Sequence, residues 1–196
     1  QSGSDRILKA MHRRYTFEEI KQGVNDTLKY TKVKMMSTNI IVGFPGETDE
    51  DFERTMEVVA EARYDSAYTF VFSPRPGTEA AEMVDDFVAP EVVAERMTRL
   101  TELCDVDALF RYEARVGLVE EVLIEGPSRK DAAVIAARTR QSKLVHFKPP
   151  EGVLLAPGSM AEARITSAAP HWLSAEFVQA TEPAARRRVR IPVTSG

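Results

Sequence analysis

The segment Asn39-Ile-Ile-Val-Gly-Phe-Pro-Gly-Glu47 carries the densest chemical signal in this chain of 196 residues. An apolar run ends in two glycines, Gly43 and Gly46, and a helix-opening pattern follows at once. In α/β folds ligands sit at the carboxyl ends of strands, and glycines there let a ligand touch backbone. A helix N-terminus attracts anions, so phosphate binding is one chemistry open to the loop. Glu47, Asp49, Glu50 and Asp51 argue against it. They crowd the first turn with negative charge, and no Lys follows the glycines as a Walker-type loop requires. The loop suits a less anionic ligand, such as an adenosine held by backbone contacts. The competing reading is a plain strand-to-helix turn whose acids complement the helix dipole.

A second strand-to-turn passage is Tyr68-Thr-Phe-Val-Phe-Ser-Pro-Arg-Pro-Gly-Thr78. Two prolines flank Arg75, stiffening the backbone that carries it. A guanidinium suits bidentate bonding to a carboxylate, a phosphate or a base edge. The alternative is a Pro-Gly turn with a solvated Arg. At the start of the chain, Ser4 is a natural N-cap, and Gln1-Ser-Gly-Ser4 is also placed to be a strand-end loop facing the same pocket. Further on, Arg138, Arg140, Lys143, His146 and Lys148 are interleaved with apolar residues. Strand alternation would project several cations to one side, giving a basic groove for RNA with Phe147 or Trp172 nearby, or else a solvated strand face. Cys104 falls on an apolar helical stripe and suits the core. His12, His146 and His171 are too scattered for a metal site or a nucleophilic triad.

These residues need elements to position them. Ile7, Leu8, Met11 and Tyr15 recur at helical spacing. Thr16 with Glu19, and Thr48 with Asp51, are capping boxes opening helices with apolar stripes Phe17, Ile20, Val24, Leu28 and Phe52, Met56, Val59. Met36–Val42 predicts a strand buried on both faces, and Ala67–Phe72 predicts another. Pro90 opens a long helix striped with Val93, Met97, Leu100 and Cys104. Helices alternating with strands imply a parallel sheet, and two strands alone do not make a stable domain. Residues 1–112 therefore predict the closing part of a larger α/β sheet or barrel. From about Glu113 the pattern changes to short strands at Leu118–Ile124, Val134–Arg140, Leu144–Phe147, Met160–Ile165 and Trp172–Phe177, which predicts a small β-barrel over 113–180. Residues 181–196, with Arg186, Arg187, Arg188 and Arg190, read as a basic, flexible tail.

Composition bounds the rest. Hydrophobic residues make up 43% and charged residues 29%, which excludes wholesale disorder, collagen and coiled coil. No apolar run approaches the roughly 18 residues of a spanning helix. Residues 1–112 carry net charge −7 and residues 113–196 net +3, suggesting two units with different partners. One cysteine forms no internal disulfide and cannot alone hold zinc or an iron–sulfur cluster, and a reducing cytoplasm is the default compartment. The Gln at the start suggests a piece of something longer.

Taken together, these motifs resemble the radical S-adenosylmethionine methylthiotransferases of the MiaB type, which modify tRNA. Gln1-Ser-Gly-Ser-Asp-Arg-Ile-Leu-Lys-Ala-Met11, with Arg13, Tyr15 and Thr16, is similar to the segment after the fourth barrel strand of that family. Ser37–Thr48 resembles the fifth strand with its ligand loop, and Asp65–Thr78 resembles the sixth. Residues 113–178 resemble the family's RNA-binding TRAM domain. Asn39 stands where members usually carry Asp, Ala137 where they carry Gly, and Ser142 where they carry Asn.

The resemblance implies an α/β architecture: the C-terminal part of a partial TIM-type barrel followed by a small TRAM-like β-barrel. It implies methylthiolation of carbon 2 of an isopentenylated adenosine beside the anticodon of tRNA. The cofactors would be S-adenosylmethionine and two 4Fe–4S clusters, with an electron donor to reduce them. The family's CxxxCxxC loop and N-terminal cluster domain have no counterpart here, so this stretch alone is expected to be inactive. By position, Gly43, Gly46, Gln1 and Ser2 would meet the cofactor, Ser73 and Arg75 the entering adenosine, and Arg138, Arg140 and Lys143 the tRNA backbone. The alternatives are a threonylcarbamoyl-adenosine tRNA substrate, an aspartate of a ribosomal protein, or a stand-alone RNA-binding module. The cation at Arg75 favours RNA over the ribosomal protein, whose enzymes carry an acidic loop there. The two strand-end loops should open onto one common cavity.

Overall fold

A computed structural model describes residues 1–30 and 35–183. The chain divides into two compact units, Gln1–Arg111 and Tyr112–Gly196. The basic tail Arg186–Arg190 lies outside the described residues.

The first unit begins with α1 (Asp5–Ala10), capped by the Ser4 hydroxyl, which accepts from the Ile7 amide. The helix stops sooner than the apolar spacing predicts. His12 takes φ 56°, and its amide and that of Arg13 close back on Lys9 and Leu8. Tyr15 is left outside the helix, donating its hydroxyl to the Gln1 side chain at 3.0 Å. After α2 (Phe17–Tyr30) come β1 (Ser37–Val42), α3 (Asp49–Ala62) and β2 (Ser66–Val71). Both capping boxes form: Thr16 with Glu19 and Thr48 with Asp51. A short α4 (Glu79–Glu82) and the long α5 (Pro90–Glu113) follow.

β1 and β2 pair in parallel, with Asn39 opposite Tyr68 and Ile41 opposite Phe70. One face of this pair is covered. Ile40 and Val42 pack with Phe52 and Val59 of α3 and with Val93 and Leu100 of α5. Each such side chain stabilises the fold by about 1.5–3 kcal/mol when fully buried. The other face is bare: Asn39, Tyr68 and Phe70 are exposed. The expectation that β1 is buried on both faces is thus met on one, because the described residues supply no layer over Ile41 and Phe70.

The second unit is a closed barrel of β3 (Val119–Pro127), β4 (Ile135–Thr139), β5 (Leu144–Phe147), β6 (Met160–Ala169) and β7 (Trp172–Glu182), in the order β3-β4-β5-β7-β6. Neighbours are antiparallel except β5 and β7. Closure removes free strand edges. Inward positions Val122, Ile124, Ile135, Ala137, Val145, Phe147, Ala161, Ala163, Ile165 and Leu173 form one core. Ala137 is fully buried there, a position with room for a methyl group. Ser142 closes the β4–β5 turn at φ 57°, a left-handed conformation that asparagine or glycine holds at lower cost. Among the described residues, no helix is long and apolar enough to cross a membrane.

Candidate functional site

Parallel pairing decides where the two chemical loops go. Since β1 and β2 run the same way and in register from Ser37/Ser66 to Val42/Val71, the loops that follow leave from the same end of the sheet. The Phe72 amide extends the ladder by donating to the Val42 carbonyl at 2.8 Å. Phe44 of the first loop meets Phe72 edge-to-face at 5.3 Å, and Phe72 meets Phe87 at 5.9 Å. Phe44 of the first loop thus packs against Phe72, the residue from which the second loop, Ser73–Thr78, departs.

The first loop is built around a buried carboxylate. Glu47 Oε2 accepts the Gly43 amide at 2.8 Å and Arg96 Nη1 at 3.0 Å. The two side chains are 1% and 3% exposed. Arg96 also donates to the Glu47 carbonyl at 3.2 Å and to Asp49 at 2.5 Å, and its guanidinium lies over the Phe52 ring. Burial pushes the Glu47 carboxyl above its usual range, while the Gly43 amide and Arg96 work in the opposite direction. Gly43 takes φ +77°, and a Cβ there would lie 2.6 Å from Val93 of α5. Gly46 takes φ +75°, but a Cβ there would meet nothing nearer than Arg6 at 3.9 Å. Its amide donates to Asp86 and its carbonyl accepts from Arg6.

The Gln1–Ser4 segment docks on this assembly. The Gln1 carbonyl accepts the Ile41 amide at 3.0 Å, on the edge of β1 away from β2. Ser2 is buried against Thr55, and the Gly3 amide donates to the same hydroxyl at 2.9 Å. A Cβ on Gly3 would fall 2.5 Å from the Arg54 carbonyl oxygen, so only glycine lets the segment reach α3. Ser4, Arg6 and Thr48 all donate to Asp51. Partial burial alone would raise that carboxyl, yet the bonds from Arg6, Ser4 and Thr48 outweigh it and hold Asp51 well below the usual range.

The structure therefore sorts the four residues expected to meet a cofactor. Gly46 and Gln1 are partly open, whereas Ser2 and Gly43 are buried beneath them. Gly43 is a glycine because α5 approaches it, and its amide is taken by Glu47. Ser73 and Arg75 are exposed together in the second loop. The Arg75 carbonyl accepts the Thr78 amide at 3.2 Å and the Thr78 hydroxyl at 2.8 Å, which pins the turn carrying the guanidinium. The residues that spacing alone did not reveal are Glu47 and Arg96 as a buried pair and Asp51 as the acceptor for Ser4 and Arg6. Only the capping-box position of Asp51 left a signal in the sequence.

On the barrel, outward and inward positions alternate along β4 and β5. Arg138 and His146 face out between the buried Ala137, Thr139, Val145 and Phe147. Arg138 bonds Glu125 at 3.1 Å, and Arg140 bonds Glu121 at 2.6 Å. Lys143 departs from the expectation. It shares the parity of Val145 and Phe147, is 2% exposed, and sets its ammonium 4.0 Å from the Tyr112 ring centroid. It does not join a surface row with Arg138 and Arg140. Phe147 is core, stacked with Phe177, whereas Trp172 is 44% exposed.

Iron–sulfur ligation does not fit this stretch of chain. It holds one cysteine, and among the described residues no group of three His, Cys, Asp or Glu is placed to bind a metal. Burial, with Asp107 and Asp105 adding to it, pushes the Cys104 thiol up to about 11, so it is a poor thiolate donor. At the strand end Gly46 leaves space instead, since a Cβ there would meet nothing nearer than Arg6.

The profile of the Radical SAM superfamily matches residues 1–59, which hold the docking segment, β1 and the glycine loop. The first unit thus carries a radical S-adenosylmethionine signature. Two relatives, each named tRNA-2-methylthio-N(6)-dimethylallyladenosine synthase, extend the likeness into the barrel. The one from Kineococcus radiotolerans is 47% identical over 91% of this chain. The one from Burkholderia pseudomallei is 42% identical over 92%. The chain belongs to the MiaB-type tRNA methylthiotransferase family. It spans 36% and 39% of the length of those two relatives. Among solved structures, coproporphyrinogen III oxidase (HemN) from Escherichia coli, a radical SAM enzyme, superposes with TM-score 0.48 at 13% identity, covering 71% of this chain and 39% of that one.

Proposed function

We propose that this chain is the C-terminal part of an enzyme that methylthiolates carbon 2 of an isopentenylated adenosine beside the anticodon of tRNA, in the cytoplasm. The observation that carries the reading is the common end of the sheet shared by Gly43–Glu47 and Ser73–Thr78. S-adenosylmethionine, with two 4Fe–4S clusters held elsewhere in the protein, supplies the radical and methyl chemistry. The residues here position and shield. Gly46, with no side chain to block approach, and the Gln1 side-chain amide face an adenosine, with Gly43 and Ser2 buried beside them. Ser73 and Arg75 meet the entering substrate, and the pinned turn directs the guanidinium toward a phosphate or base edge. Arg138 and Arg140 engage tRNA phosphates by exchanging exposed carboxylate partners, which cost little to give up. With one cysteine, this stretch alone is inactive.

Two features support completion of the first unit as a partial TIM-type barrel. The face bearing Asn39, Tyr68 and Phe70 is bare, as an interior wall of a barrel would be before its other strands are added. The Ile41 amide already bonds the Gln1 carbonyl on the free edge of β1, where a neighbouring strand would end. Residues 113–180 then serve as the TRAM-like module.

Reconstituting iron and sulfide on the full-length gene product and assaying tRNA tests the reading. Methylthio-isopentenyladenosine is the expected product. Product confined to threonylcarbamoyl-adenosine or to a ribosomal-protein aspartate would replace the substrate assignment. Arg75→Ala should lower kcat/KM for tRNA by roughly ten- to a hundredfold, the loss of one charge-assisted contact. An unchanged value would remove Arg75 from the substrate site.

A further inference from the structure

Glu47 and Arg96 form a buried ion pair beneath the glycine loop. Two charges leave water, and such a pair offsets that loss only when its geometry is close and the remaining donors are filled. Here they are. One carboxylate oxygen, Glu47 Oε2, takes both the Gly43 amide and Arg96. The other terminal nitrogen of Arg96 goes to Asp49, and its first also reaches the Glu47 carbonyl. The guanidinium thus bonds both the side chain and the backbone of the residue that ends the glycine loop. Three positions earlier on α5, Val93 fills the space where a Gly43 side chain would go. One helical turn of α5, Val93 to Arg96, sets the shape of the loop from beneath.

We propose that Arg96 is a positioning residue for the Gly43–Glu47 loop: acting through the Glu47 carboxylate, it holds the Gly43 amide inward and keeps Gly46 presented at the strand end in the form an adenosine ligand meets. The proposal rests on the reading of that loop as part of the cofactor site. Arg96 itself touches no ligand, being buried among Glu47, Asp49 and Phe52. A bifurcating guanidinium suits this task and an ammonium does not, since Lys cannot span Glu47 and Asp49 in one plane.

The test uses the full-length holoenzyme with Arg96→Met, Arg96→Lys and the double variant Glu47→Gln/Arg96→Met. The double variant leaves no buried charge without its partner, so it stays informative if Arg96→Met does not fold. Amide exchange of the peptide spanning 40–48 is followed by mass spectrometry without ligand. Affinity for S-adenosylhomocysteine, an unreactive probe, is measured by calorimetry, and tRNA affinity serves as control. Exchange at the loop should quicken roughly ten- to a hundredfold in Arg96→Met and in the double variant, from loss of a hydrogen bond to a charged group. Probe affinity should fall in parallel, with tRNA affinity unchanged and part of the loss recovered in Arg96→Lys. Loop exchange at the wild-type rate in the folded variants overturns the positioning role while leaving the cofactor site standing. Faster exchange with undiminished probe affinity instead overturns the assignment of the loop to the cofactor, and the inference falls with it.

Discussion

Two ion-pair arrangements, one taken from each unit, stand in contrast. In the first, Glu47 and Arg96 lie almost wholly out of water and tie a loop to a helix 49 positions away in sequence. In the second, Arg138–Glu125 and Arg140–Glu121 sit on the outside of a barrel, and Arg140 is 75% exposed. A buried pair is rigid because breaking it leaves a charge stranded in low dielectric. An exposed pair is labile because water and salt compete for both partners. The first arrangement suits a loop that must keep one shape. The second suits cations that must change partners when a polyanion arrives.

That contrast can be broken or sharpened by experiment. Arg96→Met should lower the stability of the first unit by about 3–5 kcal/mol, read as an earlier urea transition, whereas a loss below about 1 kcal/mol would make the pair equivalent to a surface one. Gly43→Ala comes next, at about 1–3 kcal/mol, because it combines a left-handed backbone with the Val93 contact. Acid titration gives a smaller signal with opposing signs. Asp51 sits below its usual range, so its contribution is complete above the ordinary aspartate pKa of about 3.9 and drains away as pH falls below it. Glu47 is shifted upward, so its cost is absent in acid and sets in as pH rises past about 4.3. Asp51→Asn should flatten the stability loss below about pH 4, and a wild-type acid limb in that variant would remove Asp51 as its source. Smallest is Arg140→Gln, expected to change stability by under about 0.5 kcal/mol. Its effect should appear instead as a salt slope of tRNA affinity shallower by about one. An unaltered slope would place the RNA elsewhere.

Much of the fold is legible along the chain. Both capping boxes form where Thr16 and Thr48 announce them, and β5 runs from Leu144 to Phe147 as its apolar alternation indicates. The hairpin β6–β7 runs longer than its apolar pattern, to Ala169 and on to Glu182, because backbone pairing continues where side chains turn polar. The candidate site is legible in part. Spacing marks Gly43, Gly46 and Arg75 as special, and parallel pairing brings their loops to one end. Lys143 lies inside the barrel; a row of cations does not reveal parity across a turn, and the left-handed Ser142 sets which face the next residue takes.

What this sequence determined by itself was local: where helices start, where strands stop, and which loops follow them. Those choices depend on residues within a few positions of one another. Only the tertiary structure decided that Glu47 is buried, that Gly43 must lack a side chain and that Gly3 must as well. Their reasons, Arg96, Val93 and Arg54, arrive from about fifty residues away. A charged or small residue takes its meaning from what packs against it, and no pattern along the chain carries that partner's identity.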